Sequence, residues 1–125
     1  MARALVRANA VGFDLLAIDL KGKIFPKNQI VCISVKARIS KKKKIFRPTI
    51  PVGAQKILSA QKIWNIPAWI GIVVGGTETL EAFLFPFNDL PKLRGNAKRK
   101  GVVSVTALSD NSTKSVWKLF PINLF

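Results

Sequence analysis

Apolar and polar residues alternate most clearly between Gln29 and Ile39. There Val31, Ile33, Val35 and Ala37 fall on one face of an extended strand, and Cys32, Ser34, Lys36 and Arg38 fall on the other. The pattern predicts a strand with one face in the core and the other polar and available. Phe13 to Leu20 reads as its antiparallel neighbour, because Lys21-Gly22-Lys23 and Pro26-Lys27-Asn28 supply turn residues between the two. On that first strand Asp14 and Asp19 are an odd number of residues apart, so a regular strand sends them to opposite faces. Pro48 and Pro51 end any strand and lead into Gly53 to Trp64, where Ala54, Ile57, Leu58 and Trp64 recur at helical spacing. Gln61 lies on the same stripe, so its amide is expected to point toward the sheet and to need a partner there. Ala68 to Val74 is a continuous apolar run, the mark of a central strand covered on both faces, and a Gly75-Gly76 turn leads on to a strand from Leu80 to Phe87. Further on, the pattern predicts a short helical turn over Asn88 to Arg94, a strand over Val102 to Leu108 and a closing strand around Val116 to Phe120. Neither a repeat nor a linker interrupts residues 1–125, which read as a single domain of α/β class: a mixed central β-sheet with one main helix packed on it.

Composition adds a strong charge to this picture. The chain has 125 residues, 49% of them hydrophobic, which is enough for a core, and it sets 21 Lys or Arg against 6 Asp or Glu for a net charge of +15. Such a charge repels itself in a compact state, so it is expected to serve an anionic partner. Nucleic acid is that partner, with DNA preferred and RNA admitted. A membrane is excluded as partner, since the longest apolar stretch, from Ile66 to Val74, is about half of the ~20 residues a spanning helix needs. Asp14 also interrupts the apolar run that a signal peptide would require. The lone Cys32 reads as a buried, reduced thiol of an intracellular protein, cytoplasmic or nucleoid-associated.

The basic residues are concentrated. Arg38, Lys41, Lys42, Lys43, Lys44 and Arg47 lie within ten residues, and Lys92, Arg94, Lys98, Arg99 and Lys100 within nine. Two such segments suit contact with a phosphate backbone, which supplies affinity and register but little sequence information. Trp64, Trp69 and Trp117 fall in apolar patterns and are expected in the core. With no aromatic set among the lysines, duplex or structured nucleic acid is favoured over single strands.

The absence of His excludes Ser-His-Asp and Cys-His chemistry, and one Cys cannot build a Cys/His zinc site. Any catalytic base is therefore a carboxylate, a Lys or a metal-bound water. Gly12-Phe13-Asp14-Leu15-Leu16-Ala17, then Val31-Cys32-Ile33-Ser34-Val35-Lys36-Ala37-Arg38, then the helix and the apolar strand, together resemble the PD-(D/E)xK nuclease superfamily of restriction enzymes and archaeal Holliday junction resolvases. The resemblance covers residues 12 to 74 and implies a restriction-endonuclease-like fold. It implies Asp14 as a ligand of Mg²⁺ or Mn²⁺, the Val35 carbonyl as a second ligand and Lys36 as the cation that orients water, with Ser34 and Gln61 as secondary contacts.

Ser34 stands where the family carries an acid, and a neutral hydroxyl is a far poorer Mg²⁺ ligand. The following helix offers Gln55 and Gln61 but no carboxylate, which leaves Glu78 and Glu81 as recruits from beyond the next strand. About eleven residues precede the first strand, so the family's N-terminal helix is shortened or missing. The plainer roles are Asp14 at a turn, Ser34 as a small strand residue, Lys36 and Arg38 on a phosphate-contacting face, and Gln61 satisfying a buried backbone group. The expectation is a metal-dependent endonuclease acting on duplex or branched DNA. The alternative is a noncatalytic nucleic-acid-binding protein, ribosome-associated or architectural, with the same fold. A homodimer is left open.

Overall fold

Strand β3 (Ile30–Ile39) lies at the centre, hydrogen-bonded on both edges and buried on both faces over its first half. The computed structural model describes the backbone of residues 2–7, 13–110 and 116–123, and the side chains of 13–110 and 116–118. The other strands are β1 (Ala2–Arg7), β2 (Leu15–Asp19), β4 (Thr49–Pro51), β5 (Ala68–Gly75), β6 (Thr79–Pro86), β7 (Val102–Ser104) and β8 (Trp117–Asn123). Six of them form one sheet in the order β1-β2-β3-β5-β6-β8, while β4 and β7 form a separate ribbon. Every pairing is antiparallel except β3 with β5, which run parallel from Cys32 opposite Ala68 to Ile39 opposite Gly75. Parallel neighbours need a crossover, and helix α1 (Ala54–Trp64) provides it. The chain is thus α/β with a mixed sheet.

The larger core lies between the sheet and α1. Cys32, Ile70, Ile72, Phe83 and Phe85 from the sheet meet Ile57 and Ala60 of α1, Ile50 of β4 and Val52 just after it, and Leu90 and Leu93 of a 3-10 helix at Phe87–Leu93. Ala17, Val31, Ile33, Trp69 and Leu84 face the other way and are capped by Phe25, whose ring meets Trp69 edge-on at 4.8 Å. Past that cap Val35, Ala37 and Ile39 are exposed.

Several expectations need correction. The even-numbered face of β3 is not polar and available along its length: Cys32 and Ser34 are 1% and 4% exposed beneath the α1 layer, and the face opens only from Lys36 onward. The first residues form a strand, β1, rather than merely leading to one. Pro51 ends a short strand instead of excluding it, because β4 pairs only with β7, in a two-stranded ribbon that tolerates proline at its margin. Val102 to Leu108 is a strand only to Ser104. There the Ser104 hydroxyl caps a short helix α2 (Val105–Ser109) by accepting the Ala107 N–H at 3.3 Å, and the N-cap overrides the strand preference of the valines. Trp69 is in the core, but Trp64 is 54% and Trp117 41% exposed. Trp64 lies in the last turn of α1, where its ring stands edge-on to Phe13 with centroids 6.0 Å apart.

Asp19 is fully buried and holds the β2–β3 connection together. Its carboxylate accepts N–H bonds from Ile24 at 2.6 Å, Gly22 at 3.0 Å, Lys21 at 3.1 Å and Phe25 at 3.3 Å, so the loop that places Phe25 folds around one anion. These bonds, led by that from Ile24 and opposed by desolvation, lower its pKa from 3.8 to about 2. A depressed folded-state pKa contributes stability that is complete above the unfolded value and is lost as pH falls from about 3.8 toward 2. Thermal unfolding followed from pH 6 to pH 2 is expected to show this acid loss in the native chain. Asp19→Asn is expected to melt lower at pH 6 and to lack that part of the acid dependence; identical curves would show that the carboxylate is not the staple.

Candidate nucleic-acid-binding cleft

Helix α1 begins abruptly. Gly53 turns the chain from β4 into the helix in the left-handed conformation (φ 68°, ψ 47°), no side chain caps the first turn and no acid lies within it. The first N–H groups of a helix carry partial positive charge and seek acceptors. The basic segment before β7 is tied to this place, since the Val52 N–H donates to the Gly101 carbonyl at 3.1 Å and β4 pairs with β7 from Pro51 opposite Val102. Lys36 emerges from β3 on the α1 side, where the strand outruns its cover.

These constraints converge on an open cleft of about 480 Å³ whose walls include Lys36, Gly53, Gln55, Lys56, Arg99 and Lys100. No carboxylate lines it, and among the described residues none of its four cations has an acid within ion-pair distance. Four cations and a helix N-terminus facing one space favour an oxyanion. A smaller hollow of about 300 Å³, lined by Leu90, Pro91 and Arg94, shares Lys100 and Gly101 with the cleft.

The first basic cluster begins two residues beyond Lys36 and is clipped to the sheet. The Lys43 carbonyl accepts the Thr77 N–H at 2.7 Å, and the Lys44 carbonyl accepts the Thr79 hydroxyl at 3.2 Å. Gly76 permits this approach, because a Cβ there would strike both carbonyls. Lys41 to Lys44 remain exposed, and Lys44 and Arg47 lie 3.7 Å from Glu78 and Glu81, so those acids serve the basic loop. Of the second cluster, Arg99 and Lys100 enter the cleft, Arg94 lines the hollow, Lys92 lies 3.8 Å from Asp89, and Lys98 is exposed.

Asp14 sits where the β2–β3 ladder stops. Its N–H donates to the Ile33 carbonyl at 2.8 Å, and its exposed carboxylate accepts the Val35 N–H at 2.8 Å through Oδ2. The N–H and C=O of one strand residue share an edge, so the Val35 carbonyl points to the Asp14 side. Lys36 is the next residue, but its side chain turns into the cleft, and Asp14 is not among the residues that line it. Ser34 is buried under the α1 layer. Gln61 does turn to the sheet, where its Oε1 accepts the Ala68 N–H at 3.0 Å and thereby anchors the start of β5. Among the described residues no three His, Cys, Asp or Glu side chains gather to hold a metal. One carboxylate with one backbone carbonyl is a sparse donor set for Mg²⁺, which keeps several waters and takes substrate phosphate oxygens as further ligands. Cys32 is buried with its pKa raised by desolvation, and its Sγ donates to the Pro67 carbonyl at 3.5 Å.

No family model and no curated protein matches this chain. The assignment of a role therefore rests on the geometry above. Among the described residues no helix is long and apolar enough to cross a membrane. Lys56 is the cleft residue that the sequence reading missed; its signal was Gly53-Ala54-Gln55-Lys56, a helix start with neither a capping side chain nor an acid.

Lys56→Glu would place an acid in the first turn of α1 and relieve repulsion in the cleft. It is expected to stabilise the fold by about 0.3–1 kcal/mol while weakening binding of inorganic phosphate or heparin. Calorimetry and a heparin-column elution profile check both; a variant that melts lower, or elutes unchanged, would contradict the assignment.

Proposed function

We propose that this protein binds nucleic acid, DNA in preference to RNA, by its phosphate backbone, and that it works inside the cell on duplex or structured substrates. The observation that carries this reading is the cleft where Lys36, Lys56, Arg99 and Lys100 meet the uncapped start of α1 with no carboxylate on its walls. The exposed Lys41 to Lys44 loop, which follows β3 and is pinned beside Thr77, adds further positive charge. If about eight phosphates are neutralised, the affinity for duplex DNA is expected to fall with salt at a log-log slope near −7. Changing Lys36, Arg99 and Lys100 together to Ala should make that slope shallower by roughly 3. A slope near zero for the native chain would overturn the proposal.

Phosphodiester hydrolysis is a second reading, favoured by the Asp14 carboxylate lying against Val35, one residue before Lys36. An Asp before one strand, a Lys on its antiparallel neighbour and a helix leading to a further apolar strand agree with a restriction-endonuclease-like arrangement. In that reading Asp14 and the Val35 carbonyl hold Mg²⁺ or Mn²⁺, which supplies charge neutralisation at phosphorus and an acidified water when bound. Lys36 orients the scissile phosphate or the attacking water, while Ser34 and Gln61 support the strands beneath. Cutting of duplex or branched DNA is then expected only with the divalent cation and is abolished by Asp14→Asn and by Lys36→Ala. Cutting that persists in both variants would remove this site, and a native chain that never cuts would leave binding alone.

A further inference from the structure

The hollow beside the cleft differs from it in chemistry. Leu90, only 6% exposed, is anchored in the core and gives the hollow a fixed apolar wall. Pro91, exposed within the 3-10 helix, adds a rigid ring that carries no N–H. Arg94, half-buried just after that helix, also lines the hollow, and its side chain ends in a planar guanidinium, a group that stacks on flat π-systems as well as bearing charge. Lys100 and Gly101 belong to both spaces, and Gly101 has no side chain to divide them.

A nucleotide has the same two parts, a flat base with apolar faces joined through its sugar to a phosphate. We propose that the hollow takes the base of an unpaired nucleotide whose phosphate lies in the cleft. The preferred ligand is therefore a nucleic acid carrying at least one unpaired base, such as a bulge, rather than a uniform duplex. Stacked and paired bases must be extruded at a cost before they enter such a space, whereas an unpaired base enters at little cost. The inference rests on the phosphate-binding reading and adds to it the part of the substrate that is recognised.

Three DNAs with the same base pairs test it with the full chain in fluorescence anisotropy: a perfect duplex, a duplex with one bulged adenine, and the same bulge made abasic, the two bulged DNAs carrying equal charge. The adenine bulge is expected to bind about tenfold more tightly than the abasic bulge, in line with base-stacking contributions. Arg94→Lys, which keeps the charge but loses the plane, and Pro91→Glu, which puts an acid at the hollow, are each expected to bring that ratio close to one. A 2-aminopurine at the bulge should change its fluorescence on binding to the native chain and much less with either variant. Equal affinity for the two bulges, with salt-dependent binding of the perfect duplex intact, overturns this inference alone. Failure to bind any of the three at low salt overturns the proposed function as well, and a ratio unchanged in both variants places the base elsewhere.

Discussion

The parallel pairing of β3 with β5 is the constraint from which the rest of the structure follows. Two parallel neighbours cannot be joined by a hairpin, so the chain leaves β3 at Ile39, crosses the sheet through β4 and α1, and re-enters at Ala68. Gln61 fastens the return by accepting the Ala68 N–H, and Cys32, Ile57, Ala60 and Ile70 fill the space between helix and sheet. The same crossover brings the start of α1 to the place where Lys36 leaves its cover. Without it, the positive end of the helix and the basic strand residue would have no common space.

Charge is then distributed at the expense of stability. A first turn that in most helices carries a cap or an acid carries Gly53, Gln55 and Lys56 instead, and Lys36, Arg99 and Lys100 face it. Lys56 at the positive end of the helix and the cations that face it repel one another, and an oxyanion in the cleft would relieve that repulsion. The carboxylates are placed elsewhere: Asp19 in a backbone staple, Glu78 and Glu81 beside the clipped lysine loop, and Asp14 on the edge of β3. The apolar hollow at Leu90 and Pro91 adjoins the cleft through Lys100 and Gly101.

How much of this was legible in the sequence depended on the range of the interactions. β2, β3, α1, β5 and β6 were readable to within a residue or two, because apolar runs of strand length bounded by turn residues and the helical apolar spacing mark the elements, although burial along β3 follows its cover rather than the alternation. Gln61 was readable as an amide turned to the sheet. The early end of β7 at Ser104 was decided by one capping hydroxyl, and β4 by its pairing with the distant β7, so neither was marked by apolar periodicity. Ser34 looked available by alternation but is covered, since alternation says nothing of where a packed helix begins and ends. Lys36, Arg99 and Lys100 were each named as basic, yet their meeting depends on the β4–β7 ribbon, which is visible only in three dimensions.

An oxyanion held jointly by β3, the start of α1 and the segment before β7 is the proposal on which the site stands. Nitrogen-15 NMR of the labelled chain, titrated with a short 5′-phosphorylated DNA, reads it most directly. The backbone amides of Ala54, Gln55 and Lys56 are expected to shift together with those of Lys36, Arg99 and Lys100. Shifts confined to Lys41 through Lys44, with the first turn of α1 unmoved, would contradict it.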